Sequence, residues 1–168
     1  MLGVSTVCNS YECFDTSSRT VDGLNRLGEF IGMFREEFVA DIHRGAFEDH
    51  VDSLSSESYD FAITSPPYFD TELYSTEADS SSVRYKTFND WADGFFRPMV
   101  RGVMRILRRP HGVFVLNIGS RVYPLNDILR QVAEVDGLKM QRLGNLLSGT
   151  GGLGKSGEGE MFYALSAQ

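Results

Sequence analysis

The chain has 168 residues, of which 42% are hydrophobic and 12% aromatic, and a formal net charge of −7. That length supports one sizeable core, no apolar run approaches a membrane span, and the acidic balance argues against a coat protein that binds nucleic acid non-specifically. The Met-Leu-Gly-Val start lacks the basic region of a signal peptide. Cys8 and Cys13 read as free thiols in a reducing, cytoplasmic compartment, so neither a disulfide framework, a zinc site nor a membrane partner is expected.

Residues 1–18 are mixed, with a short strand near Tyr11–Phe14. The spacing of Val21, Leu24 and Leu27 predicts a helix over residues 20–29, with Thr20 as its N-cap. Phe30–Phe34 reads as a short apolar strand, and Phe38–Phe47 as another that ends in Glu48-Asp49. A serine-rich loop, Ser53–Ser58, precedes the buried strand Phe61–Thr64. Two prolines then fix φ and withdraw N–H donors, so the strand stops at Ser65-Pro66-Pro67-Tyr68. This makes a rigid corner carrying a hydroxyl, carbonyls and a phenol at the carboxyl end of a strand, where open α/β sheets place ligands. Ala78–Ser82 is small and polar, as expected of a mobile loop over a site. Thr87 opens a helix that runs to about Leu107 in a variant of the capping box with Asp90. Val113–Ile118 is a buried strand, and Leu125–Asp136 a helix closed by Gly137. Two last strands, Lys139–Leu147 and Met161–Ser166, flank a glycine-rich link. Strand-helix alternation predicts an α/β fold with Phe61–Thr64 central and Val113–Ile118 beside it.

The corner and the stretch downstream of it resemble the amino-methyltransferases that use S-adenosylmethionine (SAM) to methylate adenine N6 or cytosine N4. Their signature, Ser/Asp/Asn-Pro-Pro-aromatic after a buried strand, stands here as Ser65-Pro66-Pro67-Tyr68. Phe69-Asp70-x-Glu72-x-Tyr74-Ser75, Arg84-Tyr85, Phe88-x-x-Trp91 and Arg105-x-Leu107 come next, in an order similar to virus- or phage-type DNA methyltransferases. The resemblance covers roughly residues 38–168. It implies a Rossmann-like methyltransferase sheet, mostly parallel with a C-terminal antiparallel hairpin, in a single domain over residues 1–168 with a prokaryotic or viral source. Residues 51–168 would be the catalytic half and residues 1–50 a degenerate cofactor-binding part.

The resemblance implies Ser65, Pro66, Pro67 and Tyr68 as catalytic residues. The Ser65 hydroxyl and the Pro66 carbonyl would accept hydrogen bonds from the target amine, and Tyr68 would stack on an extruded base. It implies Phe14, Asp15, Ser17, Glu48, Asp49 and Thr64 as cofactor contacts, with Ser65, Pro66 and Tyr68 facing Asp15 and Asp49 across a cleft. Two departures and one match accompany it. The loop Phe14-Asp15-Thr16-Ser17-Ser18-Arg19 has the aspartate of a SAM loop but no glycine. Phe30–Phe34, matched to the family's second strand, puts Met33 and Phe34 where an acid should be, with Glu36 the nearest carboxylate. Only Ala46-Phe47-Glu48-Asp49, matched to the end of the third strand, keeps its acids, so the chain looks shortened at its N-terminal side. Two functions therefore stay open: SAM-dependent methylation of a base in DNA rather than RNA, or an inactive methyltransferase fold serving as a structural or regulatory subunit. A homodimer or partner subunit is expected, since little chain is left for target recognition.

Tyr74, Arg84, Tyr85 and Lys155 are the expected nucleic-acid contacts, and Trp91 either lines that cleft or packs in the core. Arg97, Arg101, Arg105 and Arg108 recur at helical spacing, as a solvated face or a phosphate-contacting ridge. Asp70 and Glu72 are surface carboxylates or orienting groups for Tyr68 and the base. His43, His50 and His111 read as unclustered and carry no role. Gly149-Thr150-Gly151-Gly152-Leu153-Gly154-Lys155-Ser156 matches a P-loop letter for letter. Gly157-Glu158-Gly159 disfavours the helix a P-loop needs, so the segment reads as a hairpin link that binds no nucleotide. A circularly permuted SAM loop there would need a helix and an acidic strand after it.

Overall fold

A computed structural model describes residues 1–70, 77–119, 122–145 and 160–168. The described residues form two sheets rather than one. The first pairs β1 (Ser10–Asp15) with β2 (Val39–Arg44) in parallel, Ser10 opposite Val39 and Asp15 opposite Arg44. The second has the order β3-β4-β6-β5, formed by β3 (Phe61–Thr64), β4 (Val113–Ile118), β5 (Leu138–Asn145) and β6 (Met161–Ala167). β3 and β4 are parallel, whereas β6 is antiparallel to both β4 and β5. The architecture is α/β and Rossmann-like, with parallel pairs first and an antiparallel hairpin last.

One correction concerns β3. It is hydrogen-bonded to β4 on one side only and is an edge strand, not the central one the sequence predicts. Among the described residues no ladder joins it to β1. Phe61 and Ile63, which leave the same side of β3, are 46% and 54% exposed.

A second correction concerns the segment after β1. After a short N-terminal turn, α1 (Leu2–Ser5), comes α2, a helix spanning Ser18–Gly32 that takes in most of the stretch predicted to be a strand at Phe30–Phe34. Val21, Leu24, Leu27, Gly28 and Ile31 make a continuous helical stripe, with Val21 and Ile31 buried. That period outweighs the five-residue apolar run, and Phe30, Met33 and Phe34 are left exposed. Gly28 lets the helix lie close on β2, because a Cβ there would stand 2.9 Å from the Ala40 Cβ. The cap is Ser17 rather than Thr20, and its side chain accepts from the Thr20 N–H. Only one strand therefore pairs with β1 among the described residues. The acids matched to a third strand instead follow β2, in the helical turn α3 (Phe47–His50), which runs on into a 3₁₀ turn at Val51–Ser53.

The core lies between the second sheet and the helices on one of its faces. After α4 (Ser81–Arg84), α5 (Phe88–Trp91) passes through a π-helical turn at Ala92–Phe96 into α6 (Arg97–Ile106). The Thr87 side chain caps this long helix by accepting from the Asp90 N–H, as its spacing predicts. α6 and α7 (Leu125–Val135) bury Val100, Leu129 and Val132 against Phe114, Leu116, Ile118 and Leu165. Gly137, at φ +64°, ends α7 where left-handed backbone favours glycine. Trp91 is fully buried, stacked between Phe88 and Phe96, which settles its place in the core and removes it from any base-lining role.

Candidate active site

β1 and β3, which share no ladder among the described residues, both line a cleft of about 1340 Å³. Its walls bring together residues far apart in the chain: Phe14, Asp15 and Ser17 from the β1–α2 corner, Glu48 from α3, and Thr64, Ser65, Pro66 and Pro67 from the β3 corner. Each wall is set locally. The Asp15 carboxylate accepts the Ser17 N–H at 2.8 Å, closing a tight turn that sends the chain from β1 into α2. On the opposite wall Pro66 is fully buried and Ser65 exposed, so the proline anchors the corner and the hydroxyl is left accessible.

Two expected residues do not line the cleft. Tyr68 turns toward the end of β4, its ring about 3.5 Å from where a Cβ on Gly119 would sit and its hydroxyl 3.4 Å from the Asn117 carbonyl oxygen. Asp49 points away and forms an ion pair with Arg84, whose Nη1 is 2.8 Å from Oδ1. The neighbouring acid takes its place: Glu48 lines the cleft with its side chain 6% exposed. Its Oε1 meets Arg84 at 3.3 Å and the Tyr85 hydroxyl at 3.4 Å, while Oε2 is buried without a partner among the described residues. Burial raises the Glu48 pKa despite the guanidinium beside it. The hydrogen bond from Arg84 lowers that of Asp49.

Arg84 and Tyr85 thus fix α3 from across the chain, and the Tyr85 hydroxyl also donates to the Gly94 carbonyl in the π-helical turn at 2.7 Å. The segment before them forms a strap over the strand ends. Arg44 pairs with Glu77 and Asp79, and Glu77 accepts the Ser18 N–H at 3.0 Å, at the start of α2. That backbone donor, then Arg44, lowers the Glu77 pKa. The small polar stretch is anchored here, with Ser80 and Ser81 buried and the Ser81 hydroxyl lacking a partner among the described residues.

The arginines at helical spacing are engaged within the chain. Arg97 pairs with Asp93, Arg101 with Asp136 and Arg108 with Asp60, while Arg105 donates to the Val51 and Leu54 carbonyls. Asp70 accepts from the Tyr123 hydroxyl at 2.6 Å rather than orienting Tyr68. Tyr74, Lys155, Glu72 and the glycine-rich link over residues 148–159 lie outside the described residues. His43 and His50 are not isolated, since both rings stack on Phe14, at 4.7 and 5.7 Å between centroids. Glu77, Arg44 and Ser81 carry no signal in the sequence, because nothing in the spacing of charges 33 residues apart marks an ion pair.

No protein-family model matches the chain, and no curated protein matches its sequence. Solved structures do. The bifunctional kinase-methyltransferase WbdD superposes with a TM-score of 0.57 at 8% identity, covering 94% of this chain and 34% of that one. A Clostridium thermocellum protein assigned as an rRNA methylase superposes at 0.53 and 11% identity, covering 92% of this chain and 73% of that one. A Thermus thermophilus protein assigned as a DNA modification methylase reaches 19% identity, but its TM-score of 0.49, over 73% of this chain and 50% of that one, carries no weight. At these identities the likeness establishes the fold: a Rossmann-like methyltransferase fold, in a chain that spans about a third of WbdD.

Proposed function

We propose that this chain transfers a methyl group from SAM to an exocyclic amino group of a nucleic-acid base, adenine N6 or cytosine N4, with DNA as the substrate. The observation that carries this reading is the joint lining of one cleft by the Ser65-Pro66-Pro67 corner and by Asp15, Ser17 and Glu48 at neighbouring strand ends. Methyl transfer needs amine, methyl carbon and sulfur nearly in line, so base and cofactor sites must meet.

The residues present fit the cofactor at the acidic wall. The Glu48 Oε2, buried without a partner among the described residues, is an acceptor that a hydroxyl or amino group of SAM would satisfy. Asp15 and Ser17 would hold the opposite end through the corner that opens α2. When bound, SAM supplies an electrophilic methyl group. Ser65 Oγ and the Pro66 carbonyl accept the amine hydrogens and turn its lone pair out of the ring, which is work of orientation and electrostatics. Tyr68, which lies against β4, would cover one side of the base from the end of that strand.

A second reading, an inactive fold acting as a structural or regulatory subunit, draws on the β1–α2 corner. It has no glycine between Asp15 and Ser18, and the Glu77 carboxylate sits at the start of α2. Incubating the chain with labelled SAM and DNA, followed by nucleoside analysis, separates the two. N6-methyladenine or N4-methylcytosine supports the enzyme. Label in RNA alone would move the substrate assignment, and no label with any nucleic acid favours the inactive subunit.

A further inference from the structure

We infer that Glu12, Asp41 and His43 form a binding site for a divalent transition-metal ion. Glu12 on β1 and Asp41 on β2 are direct partners in the parallel ladder, and His43 lies two residues beyond Asp41, so the three side chains leave one face of the first sheet. One donor atom from each lies within 4.8 Å of the others. His43 Nε2 is 2.9 Å from Glu12 Oε1 and 3.4 Å from Asp41 Oδ1.

Three features distinguish this group from an ordinary surface charge cluster. First, like charges directly opposite each other destabilise a ladder, and among the described residues no Lys or Arg forms an ion pair with Glu12 or Asp41. A cation between them turns that repulsion into attraction. Second, the imidazole is oriented by Phe14, stacked on it at 4.7 Å with 19° between the planes. Third, the Tyr59 hydroxyl donates to Glu12 Oε2, a second carboxylate contact of the kind that fixes a ligand's orientation.

One imidazole nitrogen and two carboxylate oxygens suit a borderline ion such as Zn²⁺ or Mn²⁺. Asp41 is 66% exposed, so water can complete the shell. Through Glu12 and Tyr59 the ion would also hold the first sheet against the segment leading into β3. No spacing in the sequence could show this site, because Glu12 lies on a different strand from Asp41 and His43 and Tyr59 is 47 residues from Glu12. Glu12, Asp41 and Tyr59 border the same cleft as Asp15 and Ser65, and Phe14 belongs to both groups, but the metal titration reads the site without SAM or DNA, so its failure is distinguishable from failure of the methyl-transfer reading.

The test is titration of the metal-free chain with Mn²⁺, followed by electron paramagnetic resonance, and with Zn²⁺ by calorimetry. Mn²⁺ avoids thiolate ligands, so Cys8 and Cys13 do not compete for it. The expected result is one saturable site for each ion, with affinity reduced tenfold or more in both Asp41→Asn and His43→Gln and unchanged in the Cys8→Ser, Cys13→Ser double variant. Circular dichroism confirms that each variant is folded, and Asp41→Asn keeps the shape of an exposed side chain. The inference is overturned by the absence of saturable binding at millimolar metal, by binding unchanged in both ligand variants, or by binding that disappears with the cysteines.

Discussion

Glu48 carries a carboxylate oxygen that is buried and unpartnered among the described residues. An orphaned buried acceptor costs on the order of 1–3 kcal/mol, and in the proposed function a donor of SAM would offset that cost. Glu48→Gln is expected to leave the urea midpoint unchanged or raise it. It should weaken SAM binding about tenfold or more, the loss of a charge-assisted hydrogen bond worth about 1.5–3 kcal/mol. Equal SAM affinity in the variant and the parent would remove Glu48 from the site. Ser65 is exposed and makes no packing contribution comparable with that of its neighbour Pro66. Ser65→Ala should slow methylation about threefold to tenfold, a neutral hydrogen bond of about 0.5–1.5 kcal/mol, with SAM affinity and stability preserved. Trp91 behaves in the opposite way. Its indole is fully buried, and Trp91→Ala should cost about 3–5 kcal/mol in urea unfolding. In the sequence, helical spacing could not separate a core indole from one that lines a cleft; the ring contacts with Phe88 and Phe96 decide it.

Among the elements, those with a single unambiguous signal were legible. β3 and β4 begin and end where an apolar run meets a breaker, and Thr87 marks the start of its helix. The stretch Phe30–Phe34 was not legible, because an apolar run of five satisfies both a strand and the end of a helix whose stripe begins nine residues earlier. The stripe that buries Val21 and Ile31, with the close approach to Ala40 that Gly28 permits, selects the helix. The cap is testable at this scale: Ser17→Ala should lower stability by about 1 kcal/mol, read in urea unfolding, whereas Thr20→Ala should change it little. Equal effects would return the cap to Thr20. The π-helical turn at Ala92–Phe96 had no signal in the sequence, and its Gly94 carbonyl is what receives the Tyr85 hydroxyl.

Over the whole molecule, the split into two sheets and the strap across their ends were hidden, since both depend on contacts far apart in sequence. The sequence reading set Ser65, Pro66 and Tyr68 across a cleft from Asp15 and Asp49; Ser65, Pro66 and Asp15 do line one cleft, together with Glu48, whereas Tyr68 and Asp49 do not. The strap has a pH signature. The pKa of Asp49 is lowered from 3.8 by Arg84, and that of Glu77 from 4.5 by the Ser18 N–H and Arg44. Their contribution to stability is therefore present above those values and lost as pH falls through the lowered ones. Glu48 has the reverse sign: its pKa is raised from 4.5 by burial, so its contribution is full below that value and is lost as pH rises through the raised one. The urea midpoint is expected to fall on acidification below about pH 4. That fall should be shallower in Arg84→Met, which removes the partner of Asp49, and an unchanged profile in the variant would deny Arg84 its hold on Asp49.

The central claim is that the cleft between β1 and β3 holds SAM against the Ser65 corner. Calorimetric titration of the purified chain with SAM tests it most directly. The prediction is one saturable site per chain, lost in Glu48→Ala and retained in Ser65→Ala. Absence of binding at millimolar SAM, with and without DNA, would contradict the claim and leave the methyltransferase fold in a structural or regulatory role.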